Sequence, residues 1–143
     1  MSDQQELEKI LSEINLYKSQ AESLQQQIEA IQASLAEIEV LETTLEELKN
    51  KDSYETLVPV GAGSFMNANI NNTEEVIVSI GAGVAVTKTI EEAKETASSQ
   101  KEELNTTLNK MVENLQKISQ VISQLSPKAE ELMAKAQSGA PVQ

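Results

Sequence analysis

Residues 58–66 read VPVGAGSFM, and residues 78–86 read VSIGAGVAV. The frame is the same in both: an apolar run rich in β-branched residues, Gly-Ala-Gly, and a second run. Around it, residues 53–88 alternate as strands do, with Met66, Ala68 and Ile70 on one face and Asn67 and Asn69 on the other. Val76-Ile77-Val78-Ser79-Ile80 and Val84-Ala85-Val86 favour the same extended backbone. Each Gly-Ala-Gly sits where a tight hairpin turn needs positive φ, so the repeat reads as two tandem β-hairpins linked through Asn71-Asn72-Thr73. Pro59 confines the first strand to an edge or a bulge. A phosphate-loop reading fails, because neither glycine turn has a third glycine, a following helix or a Lys-Ser/Thr pair.

Outward from the hairpins the period changes from two to seven. Ser2 and Gln5 form a capping box that opens a helix over 3–50. In it Leu7, Ile14, Ala21, Ile28 and Leu35 recur every seven residues, as do Ile10, Tyr17, Leu24, Ile31, Ile38 and Leu45. These are the a and d positions of a coiled coil. At Glu42 the a series fails, and a slip in phase onto Leu41 and Leu48 is expected. A second capping box, Thr89 and Glu92, starts a helix over 89–137. Its d series runs from Ile90 through Ala97, Leu104, Met111, Ile118 and Leu125 to Leu132, and its a series includes Lys94, Lys101, Leu108, Leu115, Ile122, Ala129 and Ala136. Pro127 predicts a kink, or a restart capped by Ser126. Residues 138–143 (SGAPVQ) are expected to be a disordered tail.

Two such helices joined by a compact insert fold back antiparallel, so that a residues face d residues. One register matches every layer: Leu7 with Leu132, Ile14 with Leu125, Leu24 with Leu115, Ile31 with Leu108 and Leu35 with Leu104. It sets Ile38 on Lys101, Glu42 on Ala97 and Leu45 on Lys94, so polar residues enter the seam only beside the insert. There Glu42, Glu46 and the two lysines can pair. A register shifted by one heptad is the alternative.

The fold class is therefore mostly α with a small β insert: a long antiparallel coiled coil joined by two tandem hairpins, one domain over residues 1–143. Four short strands cannot bury both faces or protect their edges, and VIVSIGAGVAV left open would invite aggregation. Assembly with other chains into a shared sheet or barrel follows. The side chains expected to make that contact are Val58, Val60, Phe65, Met66, Ile70, Val76, Val78, Ile80, Val84 and Val86.

Composition excludes several functions. A net charge of −12 argues against nucleic acid and against an anionic membrane surface. Absence of cysteine and histidine removes disulfides, thiolate metal sites and the commonest general base. The many glutamates lie on helix faces without converging on a pocket, so neither an enzyme nor a cofactor is expected. MSDQQELEK lacks a signal-peptide pattern, which points to the cytoplasm.

LVPVGAGSFMNANI and EVIVSIGAGVAVTKTIEEA, set between two long helices, resemble the α subunits of the prefoldin family, most closely the archaeal form. The resemblance spans essentially the whole chain. It implies a heterohexamer of two α and four β subunits, with a double β-barrel body and six coiled-coil arms. It also implies an ATP-independent holdase that captures unfolded polypeptides at the arm tips and passes them to a group II chaperonin. The tip residues here are Leu7, Ile10, Leu11, Ile14, Leu125, Leu132 and Met133, and Leu11 and Met133 lie off the seam. A structural adaptor that holds folded partners by its arms is the competing reading.

Overall fold

The computed structural model describes residues 2–138. Helix α1 (Asp3–Leu48) leads to β1 (Tyr54–Gly61), β2 (Ser64–Ile70), β3 (Glu75–Gly81) and β4 (Val84–Thr89), and helix α2 (Ile90–Ser138) closes the order. Residues 139–143, most of the expected tail, lie outside the described residues.

Both helices start on the caps that their sequences specify. The Gln5 N–H donates to Ser2 Oγ and the Ser2 N–H to Gln5 Oε1, both at 3.2 Å, a reciprocal capping box. Thr89 is at once the last residue of β4 and the N-cap of α2. Its Oγ1 accepts from the Glu92 N–H at 3.1 Å and its hydroxyl donates to Glu92 Oε1 at 3.1 Å.

The strands form two separate two-stranded sheets, β1 with β2 and β3 with β4. Val58 pairs with Met66 and Val78 with Val86, so each pair shares a face, as the alternation requires. Both turns have positive φ at two central residues: Ala62 (47°) and Gly63 (75°), Ala82 (52°) and Gly83 (75°). This is the primed turn whose twist matches the flanking strands. The register shifts between Pro59 and Gly61, and the second hairpin repeats the shift between Ser79 and Gly81.

Two compact units divide the chain. One holds α1 up to Gln32 together with α2 from Thr106. Its seam residues are half-buried or buried from Leu7 to Ile31 and from Leu108 to Leu132, with Ile14, Ile28, Ala129 and Leu132 most enclosed. Ala136, the last expected a residue, is exposed. The other unit runs from Ala33 to Asn105 and holds the hairpins. Leu45 (0% exposed), Leu48, Ile90 and Ala93 form its core, with Tyr54 and Val76 packed against them.

Two expectations need correction. The seam does not slip at Glu42: Leu41 is 41% exposed, Glu42 is half-buried, and Leu45 keeps the d position. The carboxylate stays on the seam because Lys101 reaches it at 3.2 Å, so the phase changes only at Leu48. Nor does α2 restart at Pro127, which lies inside one continuous helix. The proline frees one carbonyl, that of Ser123, and Ser123 is exposed, where water can serve it.

Candidate functional site

The hairpins are anchored to the helix ends by short polar links around the core. The Tyr54 hydroxyl donates to Glu47 Oε2 at 3.2 Å, and Lys51 Nζ stands 5.0 Å from the centre of the Tyr54 ring. That hydrogen bond, then the carboxylate's charge, raises the phenol's pKa above its ordinary value. Thr73, buried in the link between hairpins, donates its hydroxyl to the Lys51 carbonyl. The Glu74 N–H donates to Asn72 Oδ1 at 3.1 Å, and the Ile90 N–H to the Glu74 carbonyl at 3.1 Å. Lys88 Nζ donates to Thr96 Oγ1 at 3.0 Å, tying β4 to α2. Sequence reasoning missed Thr73 and Lys88, since both partners lie beyond any local pattern.

Beside this junction the seam turns polar. Lys94 Nζ meets Glu46 Oε2 at 2.6 Å, Lys101 meets Glu42 at 3.2 Å and Glu39 at 3.9 Å, and Lys49 meets Glu91 at 3.6 Å. Glu42, Glu46, Lys94 and Lys101 are the residues expected to pair here, and Glu39, Lys49 and Glu91 join them without having been expected. A shift of one heptad would part them by roughly 10 Å. The Lys94 hydrogen bond, then its charge, lowers the Glu46 pKa, and the same hydrogen bond raises that of Lys94.

Beyond the junction the hairpins expose apolar side chains. Phe65 is 58% exposed and Met66 62%, and Val58, Val60, Ile70, Ile80 and Val84 are also open. Val76, Val78 and Val86 are half-buried, and Val76 packs on the chain's own core, so it is already partly covered. Leu57 and Ile77 are exposed too; sequence reasoning passed over both, although strict alternation would have placed them on the outer faces. Strands β1 to β4 each keep one edge unpaired within the described residues. Large apolar side chains on open-edged ribbons are the chemistry of an assembly surface.

In the other unit the expected tip residues divide by exposure. Ile14 and Leu132 are buried in the seam, and Leu7, Ile10 and Leu125 are half-buried. Leu11 and Met133 lie open at 39% and 42%, and Leu16 is more exposed still. The two open residues named in advance are those that the heptad leaves off the seam. Among the described residues no helix is long and apolar enough to cross a membrane.

Comparison with known proteins places the architecture. Residues 17–135 match the family model described as "Prefoldin subunit". The chain is 50% identical over 137 residues to the prefoldin subunit alpha of Methanobrevibacter smithii, covering 96% of this chain and 94% of that one. It is 39% identical to the prefoldin subunit alpha of Methanosphaera stadtmanae, covering 93% and 96%. Among solved structures it resembles a chain of filamentous PFD from Methanocaldococcus jannaschii, determined by cryo-electron microscopy. The TM-score is 0.58 at 27% identity, over 86% of this chain and 97% of that one.

Proposed function

Because the chain belongs to the prefoldin family as an α-type subunit, we propose that it supplies one arm of an ATP-independent holdase. It is a chaperone subunit rather than an enzyme, and its hairpins assemble with other prefoldin subunits. The finer picture is a cytoplasmic complex of two such chains with four β subunits, which delivers its cargo to a group II chaperonin. The observation that carries this reading is the pair of hairpins with open edges, whose exposed Phe65, Met66, Ile80 and Val84 only other subunits can cover. Val58, Val60 and Ile70 belong to the same contact, and Val76, Val78 and Val86 contribute what their own core leaves uncovered.

Cargo is held at the ends of the coiled coil. Leu11 and Met133 make the first contact, and Leu7, Ile10, Ile14, Leu125 and Leu132 join as the terminal turns fray. Apolar stretches of a non-native chain gain ~25 cal/mol per Å² withdrawn from water, so one arm binds weakly. Several arms on one body supply avidity. Methionine suits varied partners because its side chain is flexible and polarisable.

Native mass spectrometry of the complex from its own cells tests the assembly. Two copies with four of a smaller coiled-coil protein are expected; a homodimer, or one stoichiometric folded partner, sinks the reading. In the intact complex, Leu11→Ser with Met133→Ser should weaken suppression of aggregation of a denatured protein while leaving the subunit stoichiometry unchanged. Unaltered suppression would place capture elsewhere.

A further inference from the structure

The outer surface of α1 is polar or alanine at each exposed position from Lys18 to Glu39. Then Val40 stands 68% exposed and Leu41 41%, both off the seam, before the glutamates resume. Val40 and Thr44 lie one turn apart, and Glu47 continues the same stripe. The hydroxyls of Thr43 and Thr44 donate to the carbonyls of Glu39 (3.0 Å) and Val40 (2.9 Å), so what these side chains offer a neighbour is methyl. The result is an apolar break in an otherwise solvated helix face.

Its surroundings point to an occupant. Glu47, two turns along, holds the Tyr54 hydroxyl, so the stripe runs directly into the base of the first hairpin, the element that assembles. Glu37 and Glu47 flank the patch with negative charge, whereas Glu39 and Glu46 face α2 and already meet Lys101 and Lys94. Beyond Ala97, the outer residues of α2, Ser98, Ser99 and Gln100, are polar, so the apolar flank belongs to α1 alone.

We propose that Val40 and Leu41 are a second subunit interface, covered in the assembled complex by an apolar side chain on a lysine-bearing flank of a neighbouring subunit. The inference rests on the assembly proposed above. It extends the contact from the hairpins onto the first helix.

The chain has no cysteine, so Val40→Cys and, as an exposed control, Gln26→Cys each give one thiol per copy of this chain, whose labelling in the full complex is read on this chain by mass. Maleimide should modify Cys at 40 at least about tenfold more slowly than Cys at 26, because covered positions react only through opening. Dissociating the complex should abolish the difference. Equal rates within an intact complex of the right mass overturn this inference and leave the assembly standing. Failure to recover any complex with smaller subunits overturns the assembly itself. Protection that appears only when a chaperonin is added, or in the isolated chain through self-association, also overturns the proposal.

Discussion

The same heptad runs through both units of this chain and produces two different kinds of seam. Between Ala33 and Asn105 it is clamped: Leu45 is fully buried, ion pairs bridge the helices at Lys94–Glu46 and Lys101–Glu42, and the hairpins are bonded to both helix ends. Near the chain ends it is thinner. Ile10, Ile14, Leu125, Ala129 and Leu132 carry it, Leu11, Leu16 and Met133 stay in water, and ion pairs such as Lys135–Glu131 run along one helix. A bridged, polar layer specifies one register at some cost in stability, whereas a purely apolar terminal layer is free to open. Holding position and holding cargo thus fall to different chemistries within one repeat.

The largest test compares cavities. Leu45→Ala should cost ~3–5 kcal/mol in chemical denaturation, because a fully enclosed side chain leaves an unfilled hole, whereas Ile14→Ala should cost only ~1–2 where terminal turns relax. Equal costs would erase the contrast between the two seams.

Next comes the clamp. Lys101→Ala strands the half-buried Glu42 and should destabilise by about 1 kcal/mol. Glu42→Leu with Lys101→Leu should recover that loss or exceed it, at the expense of register specificity. A double variant less stable than Lys101→Ala would show that the pair stabilises rather than specifies.

Acid should act on the clamp through Glu46. Its pKa is held below the ordinary 4.5, so the carboxylate's contribution is present above that value and is lost as pH falls below it. Melting temperature followed downward from about pH 6 should drop more for the wild type than for Glu46→Gln. Parallel curves would remove Glu46 from the clamp. Smallest of all, Leu11→Ser should leave stability within about 0.5 kcal/mol, since that side chain is already in solvent. A larger loss would make it part of the terminal core.

Much of this was legible in the residues. Period seven, the capping boxes at Ser2 and Thr89 and the twin glycine turns are local rules of spacing and stereochemistry. The turns still hold a surprise: Ala62 and Ala82 also take left-handed φ, a conformation that disfavours a Cβ by roughly 1–2 kcal/mol. Nothing in the spacing distinguished the alanine from its neighbours, because the hairpin register imposes that angle.

For the candidate site the sequence named Leu11 and Met133 among the open residues at the helix ends, though not Leu16, and most of the exposed hairpin surface. It could not see that Val76 is taken by the chain's own core, or that Thr73 and Lys88 serve as anchors. Those depend on what lies opposite.

By itself, then, the sequence determined two antiparallel helices, two hairpins and a need for partners, because each follows from residues within a few positions of one another. Only the tertiary structure decided that Glu42 rather than Leu41 faces inward, and that one proline leaves α2 unbroken. The physical reason is that a charge is tolerated on a seam only if its counter-charge arrives there, and Lys101 reaches Glu42 from 59 residues along the chain.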